Sequence, residues 1–253
     1  MEYIDMKLKD KVAIVTGGAS GIGEATVRLF ASQGASVVIA DRSALGEKLA
    51  RELSESGLAA HYSEVDVSRE DDTRRLIDDT VSRFGRLDIM VANAGIAHPS
   101  APVEDVSVEQ WQQMIDVNLT GVFLSNKLAI VQMKKQGTGG AIVNMASILG
   151  HVGMPGAASY NAAKGGVVNL TRSLGVSHAQ DGIRVNAVCP GFVATPLIER
   201  ATEEARARLV AAHPIGRLGH AGEVAKAVLF LASDDASFIV GTSLMVDGGY
   251  CAQ

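Results

Sequence analysis

The feature that most constrains the fold is an apolar run, a glycine-rich turn and a helical pattern, in that order. The run spans residues 11–16, the turn extends from Gly17 to Gly23, and the helical pattern continues to Gln33. Glycines let backbone N–H groups approach a pyrophosphate, and a helix N-terminus favours its negative charge. The spacing Gly-x-x-x-Gly-x-Gly departs from the standard G-x-G-x-x-G, so the run also fits an ordinary turn. The phosphate-site candidates are Gly17, Ser20, Gly21, Ile22 and Gly23.

Short apolar runs and helical patterns then alternate along the whole chain. Helical patterns of ten to fifteen residues between such runs predict βαβ units and a parallel sheet. With 253 residues and 47% hydrophobic content, the chain is expected to form a single α/β domain over residues 1–253. The later strand-like runs are residues 35–40, 60–65, 87–91, 141–145, 183–188 and 243–246.

Acidic residues follow the second and third runs. Asp41 lies eighteen residues past Gly23, near the distance at which an acid accepts the ribose hydroxyls of a dinucleotide. A carboxylate there repels a 2′-phosphate, so NAD is expected rather than NADP. Arg42 could stack on adenine, tolerate that phosphate or be a solvated loop charge. Asp66, followed by Val67, could accept from the adenine amino group or begin a helix.

Small residues follow the fourth run, and a proline–glycine pair follows the sixth. Ala94 and Gly95 would let the backbone approach a cofactor, while Asn93 would tie neighbouring strand ends together. Thr195 could reach the nicotinamide carboxamide or cap a helix beginning at Pro196. The cofactor candidates in this second half are Asn93, Ala94, Gly95, Pro190, Gly191, Val193 and Thr195.

A tyrosine and a lysine four residues apart suggest acid–base chemistry. On a helix, Tyr160 and Lys164 would lie on one face, one turn apart. A nearby ammonium favours the phenolate and lowers its pKa from about 10, so the tyrosine could exchange a proton with an alcohol. Ser147, at the end of the fifth run, could hydrogen-bond the same oxygen. The alternative is a half-buried tyrosine beside a solvent-facing lysine.

A long helical pattern, residues 107–136, contains Asn118 near its centre. Asparagine is a mediocre interior helix residue because its amide competes for backbone hydrogen bonds. We therefore expect a bend or a bound water at this position.

Taken in order, these motifs resemble the short-chain dehydrogenase/reductase family over essentially the whole chain from Lys7. One departure is Ala92, where many members have a second asparagine, and little consequence is expected because Asn93 keeps the amide. The tail after Val246 resembles that of bacterial secondary alcohol dehydrogenases. The motifs are Thr16-Gly-x-x-x-Gly-x-Gly, Asn93-Ala-Gly, Asn118, Ser147, Tyr160-x-x-x-Lys, Pro190-Gly and Asp247-Gly-Gly.

The resemblance implies a Rossmann-type, doubly wound parallel sheet of about seven strands with helices on both faces. Tyr160 would be the proton donor or acceptor, and Ser147 would position the substrate oxygen. Lys164 would hold the nicotinamide ribose and acidify Tyr160, while Asn118 would seat a water in a proton relay. It also implies a homotetramer formed through the helices that carry Asn118 and Tyr160.

The substrate is expected to be a hydrophobic secondary alcohol or ketone, because most candidate wall residues are apolar. Residues 192–213 read as a loop and a short charged helix, typical of a mobile lid. His98 and His151 could touch a polar substrate group, although a loop histidine facing water is the simpler interpretation. The wall candidates are His98, Ile148, His151, Met154, Phe192, Leu197 and Ile198.

These features favour an NAD-dependent alcohol dehydrogenase of the cytoplasm. A 3-oxoacyl thioester reductase, a hydroxysteroid or sugar-alcohol dehydrogenase, and a non-catalytic nucleotide-binding scaffold are the alternatives. Asp41 and the net charge of −5 disfavour the first alternative, which usually uses NADPH and a basic docking surface. The same charge implies no nucleic-acid partner, and two cysteines provide neither a disulfide framework nor a metal site. No signal peptide or membrane-spanning run is expected.

Overall fold

A computed structural model describes residues 6–195 and 202–253. Its main sheet has seven parallel strands in the order 3-2-1-4-5-6-7, when the strands of this sheet are numbered along the chain. The order reverses between the first and fourth strands, which is where doubly wound sheets bind their ligands. The strands are β1 (Val12–Thr16), β2 (Ser36–Asp41), β3 (Ala60–Glu64), β4 (Ile89–Ala92), β5 (Gly140–Met145), β6 (Ile183–Pro190) and β7 (Ser243–Val246).

Helices cover both faces of the sheet. Successive strand residues point to opposite faces, so Val15 packs in the core beneath α1 and α2, while Ile14 packs beneath α3 and α5. The predicted α/β fold with a doubly wound, seven-stranded parallel sheet is confirmed. The helices are α1 (Gly21–Ser32), α2 (Leu45–Glu55), α3 (Glu70–Phe84), α4 (Val108–Ile115), α5 (Gly121–Gln136), α6 (Ala158–His178), α7 (Glu203–Ala211) and α8 (Ala221–Ala232).

The α4 and α5 helices are joined by a π-helical turn, Asp116–Thr120, into a continuous helical stretch, Val108–Gln136. Within the described chain this stretch alone is long and apolar enough, by length and composition, to cross a membrane. However, 56% of its most apolar window is buried inside the protein. Because Leu128 and Met133 pack beneath the sheet, the stretch is a core helix.

The segment after β6 crosses the carboxyl edge of the sheet. Two short strands, Val193–Ala194 and Gly219–His220, pair in parallel there. The expected lid at residues 192–213 includes α7, and residues 196–201 lie outside the described part of the chain. The described part of this segment starts at the carboxyl end of β6 and brings Thr195 to the glycine turn that follows β1.

Candidate active site

The glycine turn forms a cradle between β1 and α1. Gly17 and Gly21 adopt left-handed backbone with φ of 63° and 56°, and a Cβ on Gly23 would lie 2.0 Å from the Gly17 carbonyl oxygen. The Ser20 side chain at the start of α1 makes no capping hydrogen bond, so the first N–H groups of the helix stay available to an anion. Thr195 faces the same turn, 3.5 Å from where a Gly21 side chain would begin. This cradle fits a pyrophosphate.

Asp41 lies at the end of β2, beside the glycine turn. Its Oδ2 accepts from the Ala19 N–H at 3.0 Å and its Oδ1 accepts from the Ser43 N–H at 2.9 Å. A carboxylate has about four lone-pair positions, so the two backbone bonds orient it and leave acceptor capacity. Arg42 is largely exposed, with Nη1 3.8 Å from Asp66 Oδ2.

Asp66 and Val67 follow β3 in different roles. Asp66 Oδ1 accepts from the N–H and the hydroxyl of Ser68, and the hydroxyl bond holds the pKa of this carboxyl below its usual value. Asp66 is therefore an ionised acceptor. The Val67 side chain is buried, and a Cβ on Gly121 would come within 2.8 Å of its Cγ2. Only the Val67 backbone is left to face a cofactor.

Asn93 joins the ends of β1 and β4, which confirms the predicted strand-tying role. Its Nδ2 donates to the carbonyl oxygens of Thr16 at 2.9 Å and Gly17 at 3.1 Å. Next to it, Ala94 packs so closely that a Cβ on Gly17 would lie 2.8 Å from the Ala94 Cα. Ala92 is buried in the core, so the departure at this position leaves the polar contacts of Asn93 intact.

Asn118 lies in the π-helical turn, which confirms the expected distortion of the long helix. The side chain is fully buried; its Oδ1 accepts from the Ile96 N–H and its Nδ2 donates to the Ile96 carbonyl, both at 2.8 Å. The amide thus fixes the segment that follows β4. Whether Asn118 also seats a relay water stays a prediction.

Ser147, Tyr160 and Lys164 converge at the carboxyl end of β5. Ser147 is 7% exposed, and its hydroxyl accepts from the Leu149 N–H at 3.1 Å. The hydroxyl also lies near enough to Tyr160 to lower the pKa of the phenol. Lys164 is 3% exposed, and its Nζ lies 5.6 Å from the centroid of the Tyr160 ring. The same Nζ donates to the Met145 carbonyl at 2.7 Å. The three side chains predicted from spacing therefore form one cluster, and the solvent-facing alternative for Lys164 is wrong.

Burial shifts the pKa values of both Tyr160 and Lys164. It raises the pKa of Tyr160 above its usual 10, and the nearby Ser147 hydroxyl offsets only part of this rise. Acidification of Tyr160 by Lys164 stays a prediction. Burial also lowers the pKa of Lys164 to about 8. Both groups lose the favourable solvation of their charged forms. Tyr160 therefore holds its proton at neutral pH.

The expected wall residues fall into three groups. His98 is half-buried, and its Nε2 is buried with no hydrogen-bond partner in the described chain. Ile148 is 1% exposed, Met154 is half-buried, and His151 is exposed with its Nε2 3.6 Å from Cys189 Sγ. Leu197 and Ile198 lie outside the described residues.

The structure adds a ring cluster that the sequence did not indicate. The Phe192 ring lies 5.8 Å from the His213 ring and 5.9 Å from the Tyr250 ring. His213 is buried; its Nδ1 donates to the Leu209 carbonyl and its Nε2 accepts from the Phe192 N–H. His213 thereby holds the end of α7 against the segment that contains Pro190 and Gly191. No periodic signal marks such a contact because its partners come from three distant segments.

A dinucleotide cradle next to a serine, a tyrosine and a lysine defines a nicotinamide-dependent oxidoreductase. Comparison with known proteins agrees. Residues 17–251 match the protein family described as "Enoyl-(Acyl carrier protein) reductase". A solved short-chain type dehydrogenase/reductase from Mycobacterium marinum superposes with a TM-score of 0.94 at 34% identity, covering 98% of each chain. The chain belongs to the short-chain dehydrogenase/reductase family, as predicted.

Two curated relatives are named for what they oxidise. A cis-4-hydroxycyclohexanecarboxylate dehydrogenase of Sinomonas cyclohexanicum is 51% identical over 96% of this chain and 97% of its own. A cyclohexanol dehydrogenase of Acinetobacter sp. (strain SE19) is 42% identical over 98% of this chain and 97% of its own. Both names describe cyclic secondary alcohols, which agrees with the predicted dehydrogenase acting on a CH–OH group.

Proposed function

We propose that the protein oxidises cyclic secondary alcohols to ketones with NAD, and catalyses the reverse reduction. The observation that carries the proposal is the convergence of Ser147, Tyr160 and the Lys164 amine at the carboxyl end of β5. The named substrates of the two relatives support the cyclic substrate class. The half-buried Met154 and Phe192 provide apolar surface on the segments that follow β5 and β6.

Each residue has one role in the proposed reaction. The Tyr160 phenol exchanges a proton with the carbinol oxygen, and the Ser147 hydroxyl hydrogen-bonds that oxygen. Lys164 holds the nicotinamide ribose, and Asn118 keeps Ile96 and the segment after β4 in place. The nicotinamide, when bound, supplies the hydride acceptor or donor. The phosphate cradle, Asp41 and Asp66 would hold the rest of the cofactor, and Thr195 its carboxamide.

A substrate panel tests the proposal. Purified enzyme is assayed with cyclohexanol, cyclopentanol, a linear secondary alcohol, a hydroxysteroid, a sugar alcohol and a 3-hydroxyacyl thioester, each with NAD and NADP. Formation of reduced nicotinamide is followed by absorbance. We expect the highest kcat/KM with the cyclic alcohols. Preferential turnover of another class, or turnover of none of these compounds, contradicts the proposal.

The strongest alternative substrate is an acyl thioester, because the matching family is described by a reductase of carrier-bound acyl chains. Docking of an acidic carrier protein needs a basic surface, and the net charge of −5 offers no general attraction. A non-catalytic scaffold is disfavoured, because a binding protein has no need to bury Lys164 beside Tyr160.

NAD is proposed over NADP because the Asp41 carboxylate would face the 2′-phosphate. The family uses both cofactors, and one relative at 41% identity is named as NADP-dependent. We expect the wild-type kcat/KM to be higher with NAD. Asp41→Asn removes the charge and keeps an acceptor oxygen for one of the two backbone N–H groups. This variant should lower the ratio of kcat/KM with NAD to kcat/KM with NADP by about tenfold or more.

The control is Asp71→Asn, which removes an exposed carboxylate from α3 and should leave the cofactor ratio unchanged. Wild-type enzyme that works better with NADP would overturn the NAD proposal. If the ratio of kcat/KM with NAD to kcat/KM with NADP is the same in Asp41→Asn and Asp71→Asn, Asp41 does not set the cofactor preference.

The predicted homotetramer is retained as a proposal. Exposed apolar side chains lie along the helices that were expected to form the interfaces. Covering them in an oligomer would remove this surface from water. Sedimentation should give about four times the 26.4 kDa chain mass, and a stable monomer would contradict it. These side chains are Val108, Trp111, Phe123, Val131 and Val176.

The remaining expectations are a cytoplasmic location and a lid at residues 192–213. Both Cys189 and Cys251 are free thiols, which suits a reducing compartment. The His213 hydrogen bonds give the lid an anchor at its carboxyl end. Fractionation of the native host tests the location, and protease protection of the lid by NAD plus substrate tests its closure.

A further inference from the structure

The segment 95–101 crosses the site between two fixed points. At one end, the N–H and the carbonyl of Ile96 each form a hydrogen bond of 2.8 Å with the Asn118 side-chain amide. At the other end, the Ala101 N–H donates to the Gly156 carbonyl at 3.1 Å, four residues before Tyr160. The start of the segment is also close to the catalytic amine, since a Cβ on Gly95 would lie 3.8 Å from Lys164 Nζ.

His98 lies between these fixed points and carries an unsatisfied atom. Its Nε2 is buried, and it meets no hydrogen-bond partner among residues 6–195 and 202–253. A buried polar atom without a partner is unfavourable, so native proteins seldom leave one unless a water or a ligand completes it. The ring as a whole is half-buried, on a segment held against the loop before Tyr160.

We propose that His98 Nε2 hydrogen-bonds a second oxygen of the substrate, which is a carboxylate carried by the alcohol ring. The inference rests on the proposed function, because the carbinol oxygen must be held by Ser147 and Tyr160 for the ring to reach His98. With its proton on Nε2, a neutral imidazole donates to an acceptor oxygen, and the bond is stronger when that oxygen is charged. The site would then select cyclic hydroxy acids over simple cycloalkanols.

The experiment compares two substrates that differ only in the second group. Kinetics are measured with cis-4-hydroxycyclohexanecarboxylate and with cyclohexanol for wild type, His98→Leu and His98→Gln. We expect His98→Leu to lose about 10- to 100-fold in kcat/KM for the hydroxy acid, the effect of one hydrogen bond to a charged group. Cyclohexanol turnover should stay within about twofold of wild type. His98→Gln, which keeps a side-chain donor, should recover part of the loss.

His61→Leu is the matched control, because it removes a half-buried imidazole from the edge strand β3. It should leave the ratio of the two kcat/KM values unchanged. Equal effects of His98→Leu on both substrates, or no effect on either, would overturn the role of His98 and leave the dehydrogenase function standing. A wild-type enzyme that oxidises neither compound would overturn both proposals.

Discussion

Tyr160→Phe should lower kcat for alcohol oxidation by about 10²- to 10⁴-fold, the contribution typical of general acid–base catalysis. The variant keeps the aromatic ring and loses the phenolic proton that Tyr160 would pass to the substrate oxygen. Because burial raises the pKa of Tyr160, the neutral phenol is the form that donates in ketone reduction. Oxidation needs the phenolate as base, so its wild-type rate should rise with pH through the alkaline range.

Two measurements separate a catalytic role from a structural one. The residual oxidation rate of Tyr160→Phe should lose the alkaline rise, while its thermal unfolding stays close to that of wild type. Tyr62→Phe, which removes the hydroxyl that donates to the Asp41 carbonyl at 3.2 Å, should keep kcat within about twofold. Turnover near the wild-type rate in folded Tyr160→Phe would remove this tyrosine from the mechanism.

Lys164→Met should inactivate the enzyme and make the fold more stable at neutral pH. Burial lowers the pKa of Lys164 from 10.5 to about 8, so the folded protein holds its ammonium at a cost relative to the unfolded chain. This difference in pKa corresponds to a destabilisation of about 3 kcal/mol, which Lys164→Met removes. The variant also loses the hydrogen bond to the Met145 carbonyl, which costs it about 1 kcal/mol. A net gain of about 2 kcal/mol in the free energy of unfolding is expected at pH 7.

The pH dependence gives the sign of this effect. Below pH 8, both the folded and unfolded states carry the proton, and the full cost is present. Between pH 8 and 10.5, the folded state loses the proton first, so the cost shrinks and wild-type stability rises toward that of the variant. Denaturant unfolding at pH 7 and at pH 10 measures the difference.

Lys127→Met provides the control, because Lys127 forms an exposed ion pair with Glu70. It should show no comparable gain in stability over this pH range. Lys164→Met should also raise the KM for NAD and lower kcat. A variant that is less stable than wild type at pH 7, or whose stability difference is independent of pH, would contradict the cost assigned to the buried ammonium.

Much of the fold could be predicted from the sequence because its signals are local. The apolar runs that form β1 and β5 alternate with helical patterns, and this alternation predicts where the strands lie along the chain. The glycine turn was recognisable because the positive φ of Gly17 and the contact at Gly23 admit glycine alone. The distortion at Asn118 followed from the poor fit of asparagine to a helix interior.

The members of the site were predicted, but the effect of burial on their pKa values was not. The spacing of Tyr160 and Lys164 on one helix placed them together, and the carboxyl end of a strand added Ser147. Their pKa values depend on how completely the surrounding segments exclude water, which spacing does not encode. The same limit explains why the burial of Lys164 and of His98 Nε2 was recognised only in the structure.

Taken alone, the sequence determined where the strands and helices lie along the chain, the glycine turn of the phosphate cradle and the candidate reacting side chains. These follow from backbone periods and from residue chemistry over a few neighbouring positions. Only the tertiary structure decided how burial shifts the pKa values of Tyr160 and Lys164, that His213 anchors the segment after β6, and that His98 Nε2 has no hydrogen-bond partner among the described residues. Dielectric surroundings and hydrogen-bond partners are supplied by segments that are far apart along the chain, and they exist only once the chain has folded.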